Sequence, residues 1–360
     1  MAPYGDAARV NMDHILYWDE RRRSYRCNDE YVWVSRNKRQ DILKVYSERL
    51  VREFGPPRQG DGLQEPYMHI AAATQKKLEE MVLKLVEVYL KDELRRHGNL
   101  CFAGGVALNV ALNRMLLQLP YVKRLWVQPG AHDAGASLGA AAYVAAQAGE
   151  HIPAMTHAYL GPEFSNEEIE PELRAAGLTY TREKDITAKA AELLTQGEIV
   201  GWFQGRMEWG PRALGNRSIL GNPTIPGTAD RINAIIKFRE KWRPFCPSIL
   251  PEFAPDILGS DHPAPFMTIA FLTAAKWKDR IPEVVHVDGT CRPQVVDPAA
   301  NPKFYQLIAA FHRLTGIPVV VNTSLNRRGE PMICAPQDAI RMFQESGLDY
   351  LAIGDFLVQK

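Results

Sequence analysis

The sequence predicts an α/β protein, and three observations carry that reading. Short apolar runs of strand type alternate with stretches whose apolar residues recur every three to four positions. Gly and Pro punctuate the junctions between them. The composition, 46% hydrophobic and 24% charged, is that of a globular chain rather than a disordered, collagenous or coiled-coil one. At 360 residues the chain is long enough for two domains. A lapse into Gly, Pro, His and Thr around Gly149 to Pro162 places the boundary, giving residues 1–152 and 153–360.

Taken in order, Met1 to Pro66 is polar, aromatic and weakly patterned, as a surface excursion or a chain starting inside a domain would be. Thr74 to His97 carries Leu78, Met81, Val82, Leu85, Val88, Tyr89 and Leu94 on one helical stripe, with Gly98 as its stop. Asn99 to Ala103 reads as a buried strand, Val106 to Leu117 as a helix and Val122 to Val127 as a second strand. Asp133 to Gly149 is an Ala/Gly-rich helix. Strand, helix, strand, helix predicts a βαβ arrangement with a parallel sheet. In the second domain, Ser165 and Glu168 form a capping box for a helix to about Ala176. Asp185 caps a helix over Ile186 to Gln196. Strands are predicted at Ile199–Phe203, Phe266–Thr273, Glu283–Val287 and Pro318–Val321, and helices at Lys303–Leu314 and Pro336–Ser346.

Lys+Arg 43 against Asp+Glu 42 argues against a whole-surface nucleic-acid or anionic-membrane binder. Five widely spaced cysteines, none in a C-x-x-C pair, fit reduced thiols in a cytoplasm. No apolar stretch approaches the ~18 residues of a membrane span, so the expected setting is cytoplasmic.

The near-zero balance hides a basic segment. Gln204 to Arg243 contains Arg206, Arg212, Arg217, Arg231, Lys237, Arg239, Lys241 and Arg243, opposed by Glu208, Asp230 and Glu240. The segment is +5 and the remainder −4. Gly205 to Ser218 sets Arg206, Arg212 and Arg217 among three glycines and a proline directly after a predicted strand. Loops after parallel strands line the ligand crevice of α/β sheets. Guanidinium forks grip phosphate or carboxylate bidentately.

Further polar clusters follow. Asn233, Lys237 and Lys241 share a helix face by spacing, and Arg243 precedes the break at Pro244; an exposed helix end fits the same residues. His286 to Gln294 includes Asp288-Gly289, a turn signal, ahead of Arg292. Asn322, Ser324 and Asn326 follow an apolar strand and could donate to an anion or nucleotide, although plain turn chemistry uses the same residues. Gly104-Gly105 and Asn109, between a strand and a helix, could admit a nucleotide. His132-Asp133 sits where an N-cap belongs.

Together these segments resemble the O-carbamoyltransferases of the nodulation and antibiotic-tailoring family. The carrying residues are Ala2 to Gly5, Ala103 to Asn109, Asp133 to Ala140, Gly205 to Leu220, Ile232 to Pro247, Asp288 to Gln294 and Asn322 to Asn326. The resemblance implies the C-terminal part of an actin-like (Kae1-like) domain followed by a YrdC-like α/β domain. It implies ATP with Mg2+ and carbamoyl phosphate as substrates, a carbamoyl-adenylate made in the second domain, and transfer of the carbamoyl group to the hydroxyl of a small-molecule acceptor. Arg206, Arg212, Lys237, Arg243, Arg292 and Ser324 would hold carbamoyl phosphate and the nucleotide phosphates, with Asn216, Arg217, Asn233, Asn322 and Asn326 beside them. Gly104, Gly105 and Asn109 match the family's nucleotide-side loop, and Asp133 a ligand of its iron (Fe2+). Because Ala2 to Gly5 falls well inside the first domain of the family, the resemblance also implies an absent N-terminal lobe that carries the metal-binding histidines. A separately supplied lobe or a homo-oligomer would then complete the site. Two other readings stand beside this one: an RNA-binding or tRNA-threonylcarbamoylation component, against which the −4 remainder speaks, and a non-catalytic remnant.

Overall fold

The apolar stripe that begins at Leu78 belongs to a longer helix than its large side chains mark. In the computed structural model, which describes residues 1–33 and 45–360, the helix runs from Tyr67 because Ala71 to Ala73 are strong helix formers without a large apolar signature. Residues 34–44 of the polar opening stretch lie outside the described residues. The chain divides into two compact units, Met1–Leu100 with Met115–Leu125, and Cys101–Arg114 with Trp126–Lys360.

The first unit orders much of the segment that the sequence left unpatterned. Strands β1 (Leu16–Asp19) and β2 (Ser24–Cys27) form an antiparallel hairpin. Helix α1 (Glu48–Phe54) is capped by Ser47, whose hydroxyl accepts the Leu50 N–H at 3.2 Å. Helix α2 (Tyr67–Tyr89) is followed after Leu90 by α3 (Lys91–His97), which ends at the left-handed Gly98 as predicted. Ala2 to Gly5 packs on the start of α2, and Asp6 N donates to His69 Nδ1 at 2.8 Å. A Cβ on Gly5 would lie 2.0 Å from the Met68 carbonyl oxygen, so this close approach requires glycine.

The chain passes between the units along β3 (Asn99–Phe102), α4 (Val110–Leu117) and β4 (Arg124–Val127). Strands β3 and β4 are neighbours in a two-stranded sheet. Helix α5 (Gly135–Gln147) lies in the second unit and buries none of its residues there.

The rest of the second unit is built on an eight-stranded sheet in the order β11-β8-β12-β7-β6-β13-β14-β5. The strands are β5 (Tyr180–Arg182), β6 (Val200–Phe203), β7 (Arg217–Gly221), β8 (Cys246–Ile249), β11 (Gln294–Val295), β12 (Val319–Ser324), β13 (Tyr350–Ile353) and β14 (Phe356–Gln359). β9 (Phe271–Leu272) and β10 (Thr290–Cys291) form a separate antiparallel pair. The capping box at Ser165 opens α6 (Asn166–Ala175), and Asp185 caps α7 (Ile186–Thr195), both as predicted. Helices α8 (Thr228–Ile232), α9 (Ala254–Leu258), α10 (Ala275–Lys278), α11 (Pro302–Thr315) and α12 (Pro336–Glu345) complete the unit.

The large sheet is mixed: only β11/β8 and β13/β6 pair in parallel, and its other five pairs are antiparallel. The reason is local, because β6 returns as β7 and β13 as β14 through hairpins without an intervening helix. The strand expected over Phe266–Thr273 shrinks to Phe271–Leu272, and Glu283–Val287 instead contains a 3-10 turn over Pro282–Val284, which begins on a proline. Apolar run length alone does not supply a pairing partner. In the large sheet, strands β5, β7, β8, β11, β13 and β14 were not foreseen. The core holds Trp202, Phe203, Phe304, Phe311, Phe343 and Phe356, all fully buried, each contributing roughly 1.5–3 kcal/mol from apolar area.

Candidate functional site

The loop from Gln204 to Asn216 joins β6 to β7, and its shape is set from within. Glu208 Oε1 accepts the backbone N–H groups of Leu214 (2.7 Å), Asn216 (2.7 Å) and Arg217 (3.2 Å). The donors that a glycine-rich loop could offer to an outside anion are turned onto its own buried carboxylate. Gly215 has φ +101° and a Cβ there would lie 2.1 Å from the Phe304 ring, so no other residue fits.

That arrangement divides the predicted arginines. Arg217 lies in β7, fully buried. Its guanidinium donates to the carbonyls of Gln204 (2.7 Å), Asn216 (2.9 Å), Gly205 (3.2 Å), Cys334 (3.3 Å) and Pro162 (3.3 Å). It also stacks 3.7 Å from the Phe203 ring centroid. Burial pushes its pKa down to about 10. Arg206 is exposed and donates to the carbonyls of Leu160 and Gly161, both at 3.2 Å. Asn216 donates to the Arg206 carbonyl at 2.7 Å and accepts from Asn301 Nδ2 at 2.9 Å. Arg206 and Asn216 line a polar cavity of about 670 Å³ with Lys303, Asp355, Glu163 and His157. Lys303 and Asp355 pair across 3.0 Å. These last four residues had no signal in the sequence beyond ordinary surface polarity.

Arg212 is different. It is half-buried and, among the described residues, has no hydrogen-bond or ion-pair partner. Burial, reinforced by the charge of Arg292, holds its pKa below the usual guanidinium value. Arg292 is planted by the predicted turn: Asp288 Oδ1 accepts the Thr290 N–H (3.0 Å) and hydroxyl (2.6 Å), and Gly289 takes φ +75°. Its guanidinium donates to Cys246 Sγ at the start of β8, through Nε at 3.1 Å and Nη2 at 2.9 Å. Arg239 completes this group of cations. It donates to Asn233 Oδ1 at 3.0 Å and stacks 4.4 Å from the Phe245 ring. Its Nη2 is buried with no hydrogen-bond partner, as is Asn233 Nδ2. Burial, together with Arg243 and Arg292, pushes Arg239 down to about 10 although Cys246 acts the other way. The charge density of the segment had included Arg239 without singling it out. Cys246 had no signal at all.

Lys237 ends a π-helical turn, Asn233–Lys237, before the left-handed Phe238. It is 5% exposed. Its ammonium donates to both oxygens of Asn326, at 2.9 and 2.7 Å, to the Ser324 hydroxyl at 3.1 Å and to the Ser324 carbonyl. The structure therefore brings Lys237, Ser324 and Asn326 together as one network. Burial, then the Arg239 charge, pushes Lys237 down to about 7. Arg243 is exposed and pairs with Glu240 at 2.8 Å. Asn322 is buried in β12, donating to Ser248 Oγ (2.9 Å), Gln294 Oε1 (3.2 Å) and the Ala213 carbonyl (3.3 Å). Its Oδ1 is left without a partner.

Gly104 and Gly105 are exposed at a turn in which Gly104 N donates to the Ala131 carbonyl at 2.8 Å, and Asn109 Oδ1 accepts the Leu112 N–H at 3.0 Å. Asp133 is exposed and does not cap α5 with its side chain. The His132 ring instead accepts the Ala134 N–H at 3.1 Å.

Over residues 1–142 the chain matches the family described as Carbamoyltransferase N-terminus, and over residues 191–360 the one described as Carbamoyltransferase C-terminus. The chain belongs to the carbamoyltransferase family. It is 38% identical to nodulation protein NolO of Bradyrhizobium diazoefficiens over 319 residues, covering 86% of this chain and 58% of that protein. It is 38% identical to an uncharacterised protein of Synechocystis over 394 residues, covering 100% of this chain and 63% of that one. The crystal structure of T. kodakarensis HypF is similar over 48% of this chain and 20% of its own, with a TM-score of 0.33 and 17% identity. The chain thus spans about three fifths of the length of the two curated relatives. Its second unit holds one group of cations, Arg212 without a partner, Arg239 with its Nη2 unsatisfied, and Arg292 closed on Cys246. Among the described residues no three His, Cys, Asp or Glu side chains come together to hold a metal.

Proposed function

We propose that this carbamoyltransferase family member binds carbamoyl phosphate on Arg212, Arg239 and Arg292 of its second unit. With ATP it would form a carbamoyl-adenylate there, and the carbamoyl group would then pass to a hydroxyl of a small-molecule acceptor. In this reading residues 153–360 are the YrdC-like domain, and residues 1–152 belong with the C-terminal part of a Kae1-like domain. ATP enters with the magnesium that its phosphates carry.

The observation that supports the reading most is Arg212. A half-buried guanidinium without a partner is costly, and an arriving oxyanion removes that cost by accepting its donors bidentately. Arg292 and Arg239 add fixed positive charge where phosphoryl and adenylyl transfer concentrate negative charge. Lys237, locked by Ser324 and Asn326, acts as a rigid positive post beside Arg239. The Arg206 and Asn216 cavity is polar and of nucleotide size, and in this reading takes the remainder of the ATP. The test is release of pyrophosphate from ATP that depends on carbamoyl phosphate. Turnover in its presence and none in its absence is the expected result. Neither turnover nor calorimetric binding of carbamoyl phosphate by the folded chain would overturn the reading.

A further inference from the structure

We propose that Cys246 is itself a carbamoylation site, taking the carbamoyl group from carbamoyl phosphate seated on Arg212, Arg239 and Arg292. The inference rests on the binding reading above and goes beyond it, because it makes a protein sulfur the acceptor.

Two independent observations meet at this residue. The first is the fork of Arg292, whose Nε and Nη2 both close on Cys246 Sγ, at 3.1 and 2.9 Å. A neutral thiol is a weak acceptor, whereas two converging guanidinium donors are the geometry of an anion clamp. Arg212 and Arg239 lie within electrostatic reach of the same sulfur. The sulfur therefore occupies the seat that an oxyanion would take. The second is Asn322, the register partner of Cys246 across the antiparallel β12/β8 pair, so that both side chains leave the same face of the sheet. Asn322 is 1% exposed. Its amide nitrogen is turned toward the acceptors of Ala213, Ser248 and Gln294, which fixes the orientation of the amide. Its Oδ1 is left buried with no donor. A buried acceptor without a partner calls for an N–H group.

A carbamoyl phosphate meets these requirements together. Its phosphate oxygens answer the guanidiniums, its NH2 answers Asn322 Oδ1, and its carbonyl carbon then faces Sγ. The sulfur lone pair forms a C–S bond to that carbon, and the C–O bond to phosphate breaks. The phosphate leaves with the bonding electrons and takes up the thiol proton, giving S-carbamoyl-cysteine and inorganic phosphate. No oxidant or further reactant is needed. The product carries a neutral amide-like group where Arg292 had a sulfur acceptor, so a carbamoylated chain would seat its next donor poorly.

The experiment is peptide mapping by mass spectrometry after incubating the full chain with carbamoyl phosphate, with Cys101 as internal comparison. Cys246 is 4% exposed, whereas Cys101 is exposed. Cyanate released in solution would therefore mark Cys101 first. The expected result is addition of one carbamoyl mass to the Cys246 peptide ahead of Cys101. Excess inorganic phosphate should protect Cys246 without protecting Cys101, and Arg292→Lys should lose the preference for Cys246. An unmodified Cys246, or one modified more slowly than Cys101 and indifferent to phosphate, overturns the proposal. Calorimetric titration with carbamoyl phosphate separates the two failures. Saturable binding with an unmodified Cys246 leaves the binding reading intact, and absence of both binding and modification removes both.

Discussion

Replacing Arg217 by methionine decides whether this guanidinium builds the site or touches the ligand. Its three nitrogens donate to five backbone carbonyls at 2.7 to 3.3 Å. Nη1 is shared among three of these, so about three charge-assisted bonds, each worth roughly 1.5–3 kcal/mol, is the fair count, or roughly 5–9 kcal/mol. Against that stands the cost of burying the charge. A guanidinium pushed down from its usual value to about 10 recovers about 3 kcal/mol when it is removed. The hydrogen bonds win, and Arg217→Met should lose roughly 2–6 kcal/mol of stability. At roughly 2–4 °C per kcal/mol for a unit of this size, Tm should fall by about 5–20 °C. Urea and thermal unfolding followed by tryptophan fluorescence is the assay, with Trp202 as reporter because it is fully buried in β6 and donates to the Gly215 carbonyl at 3.0 Å. A loss below about 1 kcal/mol, combined with weakened phosphate binding, would refute the reasoning and return Arg217 to the ligand.

Arg212→Met should do the reverse: it removes a half-buried charge with no partner, so stability holds or rises while phosphate affinity by calorimetry falls at least about tenfold. The Lys237 ammonium, held at about 7 against 10.5 in the unfolded chain, makes the unfolded state the better proton binder between those values. Stability should therefore rise with pH across that window, by about 5 kcal/mol if fully expressed, in urea titrations at stepped pH; Lys237→Met should flatten the slope. Anion affinity should fall as pH passes through about 7, since the lysine then loses its charge. Glu208→Ala orphans three backbone N–H groups and should cost about 3 kcal/mol in the same urea assay.

How much of this could be read from the sequence follows from the range of each interaction. Helix caps are local, and the Ser165 and Asp185 caps were legible because donor and acceptor are within three residues. Gly98 was legible for the same reason. Strand pairing is not local. β7 begins inside the Arg-rich loop at Arg217, and β8 is the short Cys246–Ile249 directly after the basic stretch, with Pro247 and Ser248 inside it, so neither shows an apolar run. The charge density singled out forty residues but not the use of each cation. Arg206 and Arg217 are taken up by carbonyls, Arg231 by Asp349 and Glu198, and Arg243 by Glu240. Arg212 was legible as a candidate from its loop. Its lack of a partner, which makes it the strongest one, depends on every neighbour in space. The hydrogen bonds from Arg292 to Cys246 span 46 positions, and no spacing rule reaches that far.

The Glu208 carboxylate inside the β6–β7 loop means that the loop carries its own counter-ion. Many glycine-rich phosphate loops gather their amides around the ligand and order as it arrives. Here the amides are already gathered, so the backbone beside Arg212 is set before any substrate is present. Binding then draws on little of the ordering entropy that a floppy loop would lose. Selectivity passes from the backbone to the side chains. In the proposed reading a donor is accepted for how well its oxyanion meets fixed guanidiniums, because the amides of this loop are already committed to Glu208.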